Sequence, residues 1–184
     1  SQIEAGQRVS VIGAGPTGLC TLMCLRLIPH QKLIVIDIDE ERLAFAEKLG
    51  LADILLDPSR CDAVAEVRRH TEGRGADRVL EIAGGRDTLQ LAWQIARPNA
   101  IVSVIAMYEE DQLLPLPRMY GKNLTFKTGG VDGVWCDEIL ALIAQGKIDA
   151  RPLITHRFAL DDIAEAYRLF AQREDHVMKV AITF

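Results

Sequence analysis

The sequence predicts an α/β protein with a doubly wound, six-stranded parallel sheet that carries helices on both faces, followed by a short C-terminal strand-helix-strand segment. Apolar runs of strand length alternate with segments of helical period along most of the chain, which is the pattern of successive βαβ units around a parallel sheet. A glycine-rich turn follows the first apolar run directly. With 184 residues and 49% hydrophobic side chains, the chain is large enough to bury a core of this kind.

The elements are predicted from apolar runs bounded by turn residues and from apolar positions at helical spacing. Strands are expected near residues 8–13, 33–38, 53–56, 77–83, 99–106 and 123–128. Helices are expected near residues 16–28, 40–49, 60–72, 86–96 and 132–146. Pro29 ends the first helix, Gly50 lies where the second would be capped, and Pro98 follows the fourth.

Two stretches interrupt this alternation. The run 113–118 contains Pro115 and Pro117, which disfavour both a helix and a central strand, so a loop is expected there. After the fifth helix the pattern changes to strand, helix, strand, expected near residues 154–158, 161–172 and 177–184. The sequence therefore predicts two domains, one over residues 1–150 and a C-terminal segment over residues 151–184.

Composition narrows the class of protein. The net charge of −5 argues against a surface that binds nucleic acid. No apolar run reaches the roughly 18–20 residues that span a bilayer, and the first residues do not resemble a signal peptide. A cytoplasmic location without a membrane partner is therefore expected. Cys20 and Cys24 lie one helical turn apart in an apolar run, and we expect them to be buried, reduced thiols rather than metal ligands.

The first predicted strand leads into a G-x-G-x-x-G turn formed by Gly13, Gly15 and Gly18. Gly13 allows the tight turn, Gly15 lets the backbone approach a pyrophosphate, and Gly18 lets the helix pack closely on the strand. The helix that begins at Pro16 and Thr17 directs its free N–H groups and its positive dipole end at the same place. Between a strand and a helix, this motif favours a dinucleotide site of a Rossmann sheet over a purely structural turn.

An acidic residue ends the second predicted strand. Asp37 lies 19 residues after Gly18, where a carboxylate accepts the ribose hydroxyls of NAD and repels the 2′-phosphate of NADP. Its alternative role is to begin a helix-capping loop together with Asp39. Arg42, five residues further on, could reach the adenosine ribose or its phosphate, or could be a solvated charge on the helix.

Several stretches together resemble the coenzyme-binding domain and C-terminal segment of the medium-chain dehydrogenase/reductase family, of the zinc-dependent alcohol dehydrogenase type. They are VSVIGAGPTGL, IVIDIDEERLAFAEKLG, GADRVLEIAGG and ITHRFALDDIAEAYRLF with the ending VMKVAITF. Their order and spacing extend over essentially the whole chain. The resemblance implies hydride transfer between NAD(H) and an alcohol or carbonyl substrate, once this domain is joined to a preceding catalytic domain that holds zinc. It also implies that the chain alone is inactive.

The resemblance assigns roles to individual positions. The glycine turn cradles the pyrophosphate, and Asp37 and Arg42 lie along the adenosine half of the cofactor. Backbone at Ile82, Ala83 and Ala106 flanks the second ribose and the nicotinamide, and backbone near residues 128–130 helps to hold the carboxamide. Lys179 reaches back to the pyrophosphate, although a lysine on an edge strand can also serve to discourage aggregation.

No catalytic or metal-binding residue is expected in this chain, because its histidines and cysteines do not show the spacing of a catalytic zinc site. The C-terminal segment is expected to pack on the preceding catalytic domain through the apolar face of Ile163, Ala166, Tyr167 and Phe170. The resemblance further implies a homodimer or homotetramer with an interface near residues 116–128.

Two other functions remain open. A free-standing NAD-binding or redox-sensing module would need no zinc ligands. A zinc-free quinone or enoyl reductase of the same family would usually take NADPH, against which Asp37 counts. A short-chain dehydrogenase is disfavoured, since none of Tyr108, Tyr120 and Tyr167 is followed four residues later by lysine.

Overall fold

The computed structural model of the chain describes residues 2–130 and 133–184. They form two compact units, one within residues 2–130 and one over residues 133–184. The predicted helix near 132–146 belongs to the second unit, and its first residue lies outside the described ranges. A functional boundary near residue 150 remains a prediction.

The first unit is built on a six-stranded sheet in which all neighbouring strands are parallel. Its strands are β1 (Arg8–Ile12), β2 (Lys32–Ile36), β3 (Ile54–Leu56), β4 (Ala76–Glu81), β5 (Ala96–Val104) and β6 (Thr125–Thr128). Their order across the sheet is β3-β2-β1-β4-β5-β6. The order reverses between β1 and β4, and this switch point is where doubly wound Rossmann sheets bind dinucleotides. The predicted fold class is confirmed.

Four helices connect strands β1 to β5: α1 (Pro16–Leu25), α2 (Glu40–Lys48), α3 (Ala63–His70) and α4 (Thr88–Ile95). Asp39 and Asp62 explain where α2 and α3 begin, because their carboxylates accept hydrogen bonds from the backbone N–H groups of the first helical turn. The prediction of buried thiols was wrong for Cys20, which is exposed, while Cys24 is half-buried. An apolar run did not distinguish the inner face of α1 from its outer face.

The stretch 113–118 was predicted as a loop, and its second half is instead a short helix, α5 (Leu116–Met119). The two prolines are compatible with this helix because Pro115 precedes it and Pro117 lies in its first turn. The N–H that proline lacks has no intrahelical partner at that position anyway.

The core of the first unit lies on both faces of the sheet, where the central strands are buried along their length. All five residues of β1 and all six of β4 are buried. The last turn of α4 is closed by a side chain, since Lys122 Nζ donates to the carbonyl oxygens of Trp93, Gln94 and Ala96 at 2.6–2.8 Å. These carbonyls would otherwise be among the unpaired groups at a helix end.

The second unit contains the predicted strand-helix-strand segment. Its elements are α6 (Cys136–Ala144), β7 (Ile154–Ala159), α7 (Ile163–Gln172) and β8 (Lys179–Thr183). β7 and β8 pair in parallel, and α7 forms the crossover between them. Every residue of α6 is exposed or half-buried. Among the helices of both described ranges, none is long and apolar enough to cross a membrane.

Candidate dinucleotide-binding site

The glycine turn between β1 and α1 is shaped by close backbone contacts. Gly13 has a φ of +109°, and a Cβ added to it would lie 2.9 Å from the backbone nitrogen of Ala83, in the turn after β4. A Cβ on Gly18 would lie 1.9 Å from the carbonyl oxygen of Gly13. Gly13 is therefore required by the turn and by the neighbouring strand end, and Gly18 by the packing of α1 on the turn.

The N-terminus of α1 is open to an anion. Gly15 precedes the helix, Pro16 lies in its first turn, and no side chain of the described residues caps it. The first turn contains no acidic residue, in contrast to α2 and α3, which begin behind Asp39 and Asp62. Free N–H groups and the helix dipole thus favour negative charge at α1 without competition from a carboxylate of its own.

Asp37 ties the glycine turn to the start of α2. Its Oδ2 accepts a hydrogen bond from the backbone N–H of Ala14 at 2.6 Å, and its Oδ1 accepts one from Asp39 N–H at 2.9 Å. The capping of α2 itself falls to Asp39. Because each carboxylate oxygen can accept more than one hydrogen bond, Asp37 retains capacity to accept ribose hydroxyls.

Arg42 lies beside the glycine turn and is only partly exposed. A Cβ added to Gly15 would be 3.3 Å from Arg42 Nη1, and Arg42 Nε lies 3.3 Å from Asp39 Oδ2. About a quarter of the side chain, 24%, is exposed. The guanidinium is therefore placed to add positive charge where α1 begins.

The turn after β4 is held by Glu81, which the sequence analysis did not single out. Ile82 N–H donates to the carbonyl oxygen of Ile12 at 2.9 Å. Ala83 and Gly84 donate their N–H groups to Glu81 Oε1 at 3.0 and 2.9 Å, and Glu81 is fully buried. An acidic residue directly after the apolar pair Val79-Leu80, at the end of the strand, was the signal that could have identified it.

The end of β5 approaches the same turn. The N–H groups of Ile105 and Ala106 donate to the carbonyl oxygen of Glu81 at 2.8 and 3.1 Å. Tyr108 reaches the turn through its hydroxyl, which lies 3.0 Å from Thr88 Oγ1. Burial raises the pKa of Tyr108 well above its ordinary value, and the Glu81 carboxylate acts in the same direction although the Thr88 hydrogen bond opposes it.

The structure thus brings together the predicted residues Gly13, Gly15, Pro16, Thr17, Gly18, Asp37, Arg42, Ile82, Ala83 and Ala106 within the first unit. Lys179 is exposed at the start of β8 in the second unit, and its contact with a pyrophosphate remains a prediction. Within the described ranges, no group of three or more His, Cys, Asp or Glu residues could hold a metal ion.

Comparison with known proteins gives consistent matches. Residues 16–138 match the model of a protein family described as zinc-binding dehydrogenase. An alcohol dehydrogenase of Cupriavidus necator is 34% identical over 99% of this chain and 50% of its own length.

Solved structures agree with these sequence matches. The alcohol dehydrogenase from Thermus sp. ATN1 is 32% identical and superposes with a TM-score of 0.91 over 99% of this chain and 52% of its own. The short chain alcohol dehydrogenase of Escherichia coli CFT073, complexed with the cofactor NADH, is 27% identical, with a TM-score of 0.89 over 100% of this chain and 54% of its own. The chain therefore spans about half the length of the relatives it matches.

Proposed function

Because this chain belongs to the zinc-binding dehydrogenase family, we propose that it is the NAD-binding part of a zinc-dependent alcohol or polyol dehydrogenase. The longer protein would transfer hydride between NAD(H) and an alcohol or carbonyl substrate. This chain would bind the cofactor and fix its position and exposed face, and alone it would be inactive. The NADH complex of the related Escherichia coli CFT073 protein supports the choice of cofactor.

The observation that carries the proposal is the position of Asp37 between the glycine turn and α2. Its carboxylate holds Ala14 N–H at 2.6 Å, so the group that would accept ribose hydroxyls also shapes the turn that would hold the pyrophosphate. The uncapped N-terminus of α1 and the Arg42 guanidinium fit the negative charge of that pyrophosphate. A 2′-phosphate would meet the Asp37 carboxylate, so NAD should bind more tightly than NADP.

The remaining predicted contacts belong to the same proposal. Backbone at Ile82, Ala83 and Ala106 would flank the second ribose and the nicotinamide, and backbone near residues 128–130 would contact the carboxamide. Lys179 would contact the pyrophosphate.

Zinc and the groups that recognise the substrate would come from a segment of the longer protein that precedes this chain. The second unit would provide the surface on which that segment packs. Exposed apolar side chains lie on α7, with Tyr167 exposed to 72% and Phe170 to 46%. They line a groove of about 250 Å³ together with residues of β8. A cytoplasmic homodimer or homotetramer with an interface near residues 116–128 completes the proposal.

Titration calorimetry with NAD and NADP tests the cofactor assignment. The wild-type chain should bind NAD more tightly. Asp37→Ser should weaken NAD binding by about tenfold and reduce or reverse the preference for NAD. Asp62→Ser is the control, because it also removes one acid that precedes a helix, here α3, and leaves a residue that still caps that helix. Tighter binding of NADP by the wild-type chain would refute the assignment.

The proposed function and its two alternatives make different predictions for the full-length gene product. A zinc-dependent dehydrogenase contains stoichiometric zinc and oxidises members of a panel of alcohols and polyols. A free-standing NAD-binding or redox-sensing module binds NAD but shows neither property. A zinc-free quinone or enoyl reductase prefers NADPH and does not need the metal. Zinc analysis together with the substrate panel separates the zinc-dependent dehydrogenase from the other two, and a preference for NADPH separates the reductase from the module.

A further inference from the structure

We propose that Glu81 is a positioning residue for the nicotinamide half of the cofactor, because this one residue fixes both backbone segments that would flank the second ribose. The inference rests on the proposed NAD function and deepens it. Glu81 is the last residue of β4, at the switch point where the order of the strands reverses. None of the roles assigned by resemblance falls on its side chain.

The contacts of Glu81 reach in two directions. Its carboxylate oxygen Oε1 accepts the N–H groups of Ala83 and Gly84 at 3.0 and 2.9 Å. Its backbone oxygen accepts the N–H groups of Ile105 and Ala106 at 2.8 and 3.1 Å. The turn after β4 and the end of β5 are therefore both anchored on this residue.

Little free space surrounds the turn that the carboxylate holds. A Cβ on Gly13 would lie 2.9 Å from Ala83 N, and a Cβ on Gly84 would lie 3.2 Å from the Cβ of Ala106 and 3.1 Å from the carbonyl oxygen of Met107. Gly84 also has a φ of +66°, which glycine adopts without strain. A small displacement of the turn would therefore change its fit against the glycine turn and against the end of β5.

Burial of an acidic side chain at this position of the sheet is energetically unfavourable. The residues paired with Glu81 on the neighbouring strands, Ile12 and Val104, are both apolar. Glu81 is fully buried, and its second oxygen Oε2 has no hydrogen-bond partner among the described residues. Burying a charge in this way is unfavourable unless hydrogen bonds offset it, and the bonds that do so are those that position Ala83 and Gly84.

Tyr108 secures the next part of the same turn. The Thr88 hydroxyl donates to the carbonyl oxygen of Gly85 at 2.8 Å. The Thr88 hydroxyl also lies 3.0 Å from the Tyr108 hydroxyl, and the two groups form a hydrogen bond. Both ends of the turn are thus fixed by side-chain hydrogen bonds, with Glu81 at its start and the Tyr108–Thr88 pair at its end.

The test compares two ligands that report on different halves of the site. ADP contains only the adenine half, whereas NAD also engages the nicotinamide half. Their dissociation constants are measured by calorimetry on the 184-residue chain with Glu81→Met, which has similar length but no acceptor, and with Glu81→Gln, whose amide oxygen can still accept both N–H groups. Ser103→Ala is the control, because it removes another buried oxygen, on the adjacent strand β5, that has no hydrogen-bond partner in the described part of the chain.

We expect Glu81→Met to weaken NAD binding by about tenfold or more and ADP binding by less than about twofold. Glu81→Gln should lie between Glu81→Met and the wild type, and Ser103→Ala should match the wild type with both ligands. An equal loss for NAD and ADP would mean only a general role in folding and would overturn the inference. Unchanged NAD binding in a folded Glu81→Met variant would also overturn it.

Two further results keep the test decisive. If the wild-type chain binds neither NAD nor ADP, the proposed function itself fails, which is distinct from a failure of the Glu81 inference. If the Glu81 variants do not fold, amide hydrogen exchange of the wild-type chain gives the answer. The Ala83 and Gly84 amides should be protected before any cofactor is added, and rapid exchange of both would contradict the role of Glu81.

Discussion

Replacing Gly18 by alanine should change the stability of the fold in two opposite ways, because alanine favours the helix while its Cβ clashes with the backbone of the glycine turn. The added Cβ would lie 1.9 Å from the carbonyl oxygen of Gly13 and 2.9 Å from its carbonyl carbon, both closer than the 3.0 Å that Cβ atoms normally keep from their neighbours. Both obstructing atoms belong to the backbone, so a change of rotamer cannot relieve the contact. The start of α1 must instead move away from the turn by roughly 1 Å.

The magnitude follows from the two competing terms. Alanine in place of glycine inside a helix favours folding by about 1 kcal/mol. Overpacking a close contact costs about 1–3 kcal/mol and occasionally more, and a backbone contact of 1.9 Å belongs at the upper end. We therefore expect the free energy of unfolding to fall by about 2 kcal/mol in total, which lowers the melting temperature of a chain of this size by about 4–8 °C.

The assay is thermal unfolding followed by circular dichroism, with Gly121→Ala as control. A Cβ on Gly121 meets no described atom within 4 Å, so that variant should melt within about 1–2 °C of the wild type. NAD binding should also weaken in Gly18→Ala, because the displaced helix start carries the N–H groups of the proposed pyrophosphate site. A Gly18→Ala chain as stable as the wild type, or more stable, would refute the packing argument.

Three further predictions concern single side chains. Lys122→Met leaves the carbonyl groups at the end of α4 without their hydrogen-bond donor. It should therefore lower the free energy of unfolding by about 3 kcal/mol, measured by urea denaturation. A loss below about 0.5 kcal/mol would contradict this. Burial acts to raise the pKa of Asp77, but hydrogen bonds from Arg8 N–H and the Arg97 side chain outweigh it and lower that pKa below its ordinary value. The Asp77 carboxylate should therefore stabilise the fold fully above about pH 4, and this stabilisation should be lost as the pH falls through the lower folded-state pKa. The difference in free energy of unfolding between wild type and Asp77→Asn should then narrow in acid. A difference that stays constant with pH would exclude this linkage. Arg42→Met should weaken NAD binding by about three- to tenfold. Arg60→Met is the control, since it removes a guanidinium paired with Glu40 at the surface and should leave the NAD affinity measured by calorimetry unchanged. Equal effects of both substitutions would mean that net charge alone matters.

The first half of the site could be predicted from the sequence because its signals are local. Gly13, Gly15 and Gly18 are spaced for a turn between a strand and a helix, and Asp37 ends the next strand. Strand, turn and helix are formed by neighbouring residues, so the spacing alone places these groups at one end of the sheet. The parallel direction of the strands was predicted from the alternation of strands and helices along the sequence.

What the sequence analysis missed depends on contacts between distant segments. The contacts of Glu81 with Ala83, Gly84 and the end of β5 depend on the folded arrangement of these segments, although an acid at the end of a strand could have drawn attention to the residue. The exposure of Cys20 depends on which face of α1 meets the sheet, and a continuous apolar run does not specify that face. In the stretch 113–118, Pro117 would be incompatible with the middle of a helix but is compatible with the first turn of one. Residue type alone therefore could not exclude α5.

The most direct test of the proposed NAD site is the amide NMR spectrum of the isotope-labelled chain titrated with NAD. We expect saturable shifts at the amides of residues 13–15 and 17–18, at residues 37–42, at residues 82–84 and at residues 105–106, together with a shift at Lys179. ADP should reproduce the first two groups and leave residues 105–106 unchanged. Saturable binding whose shifts leave residues 13–18 and Asp37 unaffected would contradict the proposed site.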